Sequence, residues 1–196
     1  MIGSFYQPEG VLIDPGVLRT LDMRERISGF AEILKYGFIR DKDFLDRCLE
    51  YRDDILQLRD MDLLSGIIRR SLEIKAEIVA GDEKEMNNRM FLNFGHTVGH
   101  ALEQSSGYGI FRHGEAVIIG ICAALYLSVK VRGLDEKTAD HYLNILKNIP
   151  IGASPETVVD EDIYSAIARD KKTRESGRNL YFWTISDMPV SQRTCL

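Results

Sequence analysis

Three of the four histidines in this 196-residue chain fall between positions 96 and 113. His96 and His100 stand four apart in NFGHTVGHALE, each directly after a glycine, and His113 follows in FRHGEAV. A neutral imidazole can ligate a metal, and an imidazole near neutrality can also move a proton or sit hydrogen-bonded in a core. Taken alone, the pair reads as a structural pair or a surface accident, and His113 as a residue that opens a helix. Glu32, between Ala31 and Ile33, reads alone as an exposed glutamate, and Lys75, Lys171 and Lys172 as solvated lysines. In combination the residues point elsewhere. Two imidazoles and a carboxylate form a familiar zinc-type set that leaves coordination positions open for substrate. No nucleophile elbow, phosphate loop or dinucleotide fingerprint competes with it.

The elements that would position these groups are helices. ERISGFAEILKYGF has apolar residues at 27, 30, 31 and 34, a helical spacing that carries Glu32 along with it. DKDFLDRCLEYRDDILQL and MDLLSGIIRRSLEIKAEIVAG repeat the pattern, the second stopped by Gly81. A helix is expected over 89–105, another over GEAVIIGICAALYLSVKVRG closed by Gly133, and another from Leu134 to Asn148, before Pro150. SPETVVDEDIYSAIARDKK carries the last, with Asp160 as N-cap. VLID (11–14) and NLYFWTI (179–185) read as short strands near the two ends. The fold class is therefore mainly all-α, with one or two short terminal strands. If 85–105 were a single helix, Glu85, Arg89, Asn93, His96, His100 and Glu103 would share an arc of about 80°. Met90, Phe91, Phe94, Val98 and Leu102 would pack behind them. With glycines that let other groups approach, such a stripe has the character of a polar pocket lining.

Composition narrows the classes. Hydrophobic residues make up 44% and charged residues 28%, enough to bury a real core. The net charge of −5 favours neither nucleic acid nor an anionic membrane. The apolar runs read as too short to span a bilayer, and the first 20 residues lack the pattern of a signal peptide. Cys48, Cys122 and Cys195 are widely spaced with no CxxC, which argues against a disulfide framework and for a cytoplasmic location.

GFAEILKYG, DEKEMNNRMFLNFGHTVGHALE, HGEAV and RDKK resemble, in order and spacing, the C-terminal domain of the 3-dehydroquinate synthase family. The opening GSFYQPEGVLIDPGVLRTL is similar to the segment just before that domain. The resemblance implies a connecting segment over 1–20 and a helical metal- and substrate-binding domain over 21–196. It implies a lyase of the shikimate pathway, which converts 3-deoxy-D-arabino-heptulosonate 7-phosphate to 3-dehydroquinate and phosphate. The cofactors it implies are a divalent zinc or cobalt ion and a catalytic NAD. Matched residue by residue, it makes Glu32, His96 and His113 metal ligands and His100 a substrate-side histidine that orients or shuttles a proton. Lys35, Lys75, Arg89 and Asn93 match substrate-binding and catalytic positions, and Asp82 and Glu85 the acidic positions near them. One of Lys171 and Lys172 matches the lysine at the phosphate end. A homodimer is also expected.

The family's N-terminal nucleotide-binding domain has no counterpart in these residues. The chain is therefore expected to be a fragment, or the partner of a separate chain, and inactive alone. Another sugar-phosphate cyclase and a non-catalytic metal-binding fragment remain as alternatives.

Overall fold

Asp22 starts the first helix by accepting a hydrogen bond from the Glu25 amide, and from there the described chain is built of helices. The computed structural model describes residues 9–80, 88–107 and 109–152. In chain order the helices are α1 (Met23–Arg40), α2 (Lys42–Glu50), α3 (Arg52–Leu56), α4 (Met61–Ala80), α5 (His96–Ser105), α6 (His113–Arg132) and α7 (Glu136–Lys147). Two 3-10 segments, Pro15–Thr20 and Asn88–Asn93, complete the set.

α1 lies at the centre. Its Ile27, Phe30, Ala31, Leu34 and Phe38 are buried, the i, i+3, i+4, i+7 stripe read from the sequence. They share one core with Phe44 and Leu45 of α2, Ile67 and Ile74 of α4, Val117 and Ile121 of α6, and Tyr142 and Leu146 of α7. Asp41 joins three helices. It follows the end of α1, caps α2 through the Phe44 amide, and accepts from Arg70 of α4 at 2.9 Å.

Several boundaries differ from expectation. Residues 11–14 form no strand; Val11 and Leu12 are exposed, and Asp14 instead caps the 3-10 turn that follows. Among the described residues no strand lies beside this run to give it a ladder to join. DKDFLDRCLEYRDDILQL divides at Tyr51 into α2 and α3. The expected helix over 89–105 is broken: a 3-10 turn ends at Asn93, and α5 starts only at His96. The strand at 179–185 and the helix begun by Asp160 lie outside the described residues. So do Gly81, the expected stop of α4, and Cys195.

α6 corrects the expectation about apolar length. By length and composition it is long enough to cross a membrane, yet over half of it is buried inside the fold. A helix apolar all round is a core helix when other helices surround it, and α1, α5 and α7 pack against this one. Gly133, at φ 68°, ends it as expected.

An ion pair fixes the start of α6. Glu115 is fully buried and binds the Arg24 guanidinium through both oxygens, at 2.8 and 2.6 Å. It also accepts from the amides of Arg112 and Gly152, each at 2.9 Å. Removing one partner of a buried pair strands the other charge. Arg24 remains partly open to water, which lowers the penalty. Arg24→Ala is therefore expected to destabilise the chain by about 2 kcal/mol in urea denaturation. Unchanged stability would show that the two amides suffice for Glu115.

Candidate functional site

α1, α5 and α6 meet at a cluster of imidazoles and a carboxylate. Glu32 comes from α1 one turn after Ser28, whose Oγ accepts from the Gly114 amide at 2.9 Å. A Cβ on Gly114 would lie 2.2 Å from the Ser28 carbonyl oxygen, so α6 begins in direct backbone contact with α1. That contact sets His113, the preceding residue, opposite Glu32.

α5 is placed by glycines. Gly95 precedes it at φ 76°, a left-handed conformation suited to glycine, and Ile121 and Val117 leave no room for a side chain. Gly99 lies against Ala116, and Gly120 of α6 against the Gly95 carbonyl. The glycines beside the histidines thus serve close packing of α5 on α6. They let another group approach, as the sequence reading had it, and that group is α6. The polar stripe also survives only in part: the break at Gly95 removes Arg89 and Asn93 from the helical arc and leaves His96, His100 and Glu103 on one face of α5, while Glu85 lies outside the described residues.

The geometry is that of a ligand set. Glu32 Oε1 lies 3.4 Å from His96 Nε2 and 3.6 Å from His113 Nε2. It is buried and makes no hydrogen bond. The other oxygen, Oε2, accepts from Lys35 Nζ at 2.5 Å. Two ligands each about 2.1 Å from a tetrahedral ion stand about 3.4 Å apart, so each nitrogen is spaced from Oε1 as a second ligand of one ion would be. The outer ring nitrogens are engaged: His96 Nδ1 with the Phe94 carbonyl and His113 Nδ1 with Glu103, each at 3.1 Å. Protons held there leave the Nε2 lone pairs directed inward. A buried oxygen without a donor, facing two such lone pairs, fits a cation.

His100 belongs to the same cluster. Its ring centre lies 5.3 Å from that of His96 and 5.7 Å from that of His113. Ligand atoms of the three imidazoles all fall within 4.8 Å of one another. The described residues therefore hold two overlapping sets, Glu32–His96–His113 and His96–His100–His113. Only the first contains the unsatisfied carboxylate oxygen.

Local charge agrees with a site ready for a cation. Burial pushes the Glu32 carboxyl up, but His113 and Lys35 outweigh it and hold it at about 2. Burial, helped by the Lys35 charge, lowers His96 to about 4, so that ring is neutral near pH 7. Glu32 raises His113 against the effect of burial. Lys35 is buried, which lowers its pKa; Glu32 opposes the shift, and Lys75 is near enough to add to it.

Lys35 thus stands inside the cluster, with the exposed Lys75 of α4 at its edge. Asn93 borders an adjoining recess with Thr97, Gly120 and Leu127. The backbone of Arg89 lies in the 3-10 turn, while its side chain and all of Asp82, Glu85, Lys171 and Lys172 fall outside the described residues. Two partners escaped sequence reading as site residues: the Phe94 carbonyl and the Glu103 carboxylate. Glu103 carried a signal, its place on the stripe with both histidines; a backbone carbonyl carries none.

Fold and site together define an all-α domain that brings a histidine–carboxylate cluster to the junction of three helices. Solved structures share this fold. A 2-epi-5-epi-valiolone synthase from Streptomyces hygroscopicus subsp. jinggangensis, determined with NAD+ and Zn2+, superposes with a TM-score of 0.75 at 23% identity, covering 93% of this chain and 50% of that one. A 2-deoxy-scyllo-inosose synthase, determined with carbaglucose-6-phosphate, NAD+ and Co2+, gives 0.76 at 20% identity, covering 100% of this chain and 55% of that one. The chain belongs to the 3-dehydroquinate synthase C-terminal family, whose profile matches residues 29–173. The 3-dehydroquinate synthase of Caldanaerobacter subterraneus subsp. tengcongensis is 45% identical over 179 residues, 91% of this chain and 50% of that protein. The chain thus spans about half the length of the curated relatives it matches.

Proposed function

We propose that this chain is the metal- and substrate-binding part of a 3-dehydroquinate synthase, with the helical domain over 21–196, acting on 3-deoxy-D-arabino-heptulosonate 7-phosphate in the shikimate pathway. The observation that carries the reading is the buried, unbonded Oε1 of Glu32 facing two imidazole nitrogens at 3.4 and 3.6 Å. Glu32, His96 and His113 would hold a divalent ion such as Zn2+ or Co2+. When bound, the ion would acidify a substrate hydroxyl and polarise the neighbouring carbonyl.

The remaining residues divide the work by chemistry. Lys35 holds Glu32 through Oε2 and supplies a cation for substrate oxygens. His100, exposed beside the His96 imidazole, would take or return a hydroxyl proton. Arg89, Lys75 and one of Lys171 and Lys172 suit the carboxylate and phosphate, Asn93 suits a hydroxyl, and Asp82 and Glu85 complete the polar lining. Similarity to relatives bearing that name, at 45% identity, favours this substrate over those of the two structural neighbours at 20 and 23%.

Hydride chemistry needs a nicotinamide held against the carbon that reacts. That cofactor would come with the half of the relatives' length outside the match. Phosphate release from the substrate, with NAD and Zn2+ supplied, is the measurement. No turnover is expected from the 196-residue chain alone, and turnover is expected once a nucleotide-binding half from a relative is added. Full turnover by the chain alone would refute the division of labour. Phosphate release that needs no NAD would refute the reaction. A cytoplasmic dimer is part of the same reading, and sedimentation tests the dimer.

A further inference from the structure

Glu103 lies two turns beyond His96 on α5, and its Oε2 reaches across to Nδ1 of His113 on α6 at 3.1 Å. The Glu103 side chain is 15% exposed, and the opposite nitrogen of the His113 ring, Nε2, faces Glu32 at 3.6 Å. A carboxylate can only accept, so it fixes the His113 proton on Nδ1 and leaves the lone pair on Nε2. His96 is held in the same sense by the Phe94 carbonyl, but the two rings differ in need. The His96 side chain is 12% exposed and gripped by its surroundings. That of His113 is 43% exposed, at the first residue of its helix, where packing alone does not fix its orientation.

We infer that Glu103 is a positioning residue for the metal centre. It holds His113 in the Nδ1–H tautomer with Nε2 turned toward Glu32, and it supplies a second negative charge where Lys35 already offsets that of Glu32. The inference rests on the metal reading above and extends it to a residue that touches neither ion nor substrate. Loss of an outer partner of a ligating histidine lowers metal affinity by about 10- to 100-fold.

The test is titration of the 196-residue chain with Co2+ alone, followed by its visible absorption, which reports ligand geometry independently of turnover. Glu103→Ala is expected to weaken Co2+ binding by about 10- to 100-fold and to alter the band shape. Glu103→Gln retains an oxygen that accepts from Nδ1, so it is expected to keep the band shape and lose less than about 10-fold. Gln104→Ala, at the exposed neighbouring position, is expected to match the parent. Thermal unfolding without metal is expected to be unchanged in Glu103→Ala, because this contact borders water.

Parent-like affinity and spectrum in Glu103→Ala, with binding lost in His113→Ala, would overturn the role of Glu103 alone. Equal loss in Glu103→Gln and Glu103→Ala would overturn orientation as its mechanism. A parent chain that takes up no Co2+ would overturn both this inference and the metal reading on which it rests.

Discussion

Alanine at Glu32 or at His113 is expected to abolish stoichiometric binding of Zn2+ or Co2+, a larger loss than the ~100-fold upper end for removal of an outer hydrogen-bond partner. Each change removes an atom facing the proposed ion position. Glu32→Ala also leaves Lys35 buried without its carboxylate. Glu32→Gln is therefore the cleaner variant: it keeps the shape and an acceptor for Lys35 while removing the negative charge that an ion would meet. It is expected to lose most of the binding while remaining folded. His100→Ala, by contrast, is expected to retain the ion and to lose turnover in the reconstituted enzyme. Metal content after dialysis, measured by elemental analysis with circular dichroism as the check on folding, distinguishes the two ligand sets. Metal retained by Glu32→Gln and lost by His100→Ala would assign the site to the three imidazoles.

The second large effect is expected at Gly120. A Cβ there would lie 1.9 Å from the Gly95 carbonyl oxygen and 2.8 Å from its carbon. Neither is the end of a flexible side chain, and Ile121 and Val117 of the same helix already crowd Gly95. α5 must then move away from α6. Overpacking of this kind typically destabilises by about 1–3 kcal/mol and occasionally more; with backbone on both sides, Gly120→Ala is expected near the upper end, at about 3 kcal/mol. Separation of the two helices would also part His96 from His113, so metal affinity should fall together with stability. Gly66 supplies the contrast. It lies inside α4 with open space where a Cβ would be, and alanine there is expected to stabilise by about 0.5–1 kcal/mol. Urea denaturation of the two variants measures both effects. Equal stability would remove the close α5–α6 contact from the account of the site.

The elements most legible in the sequence are those governed by local periodicity. The α1 stripe at Ile27, Phe30, Ala31 and Leu34 is buried as read, and α6 ends at Gly133 as read. Both follow from a repeat of 3.6 residues and from backbone rules that act over a few positions. The failures lie where local pattern and packing compete. The helix over 89–105 matched an apolar repeat but breaks at Gly95, whose left-handed φ of 76° takes the chain out of the helix where α6 packs against it.

For the site, the sequence by itself named the candidates: three clustered histidines, a glutamate and a lysine one turn apart on an apolar helix, and motifs that resemble one family. It could do so because residue type limits chemistry. Only the tertiary structure decided the arrangement. Glu32 meets His96 and His113 across gaps of more than sixty positions in the chain, and Glu103 turned out to be the partner of His113. Arg24 and Glu115, 91 residues apart, hold the start of α6 in place. Such distances depend on how closely helix backbones approach, and that approach is set by glycines and buried side chains on several helices at once.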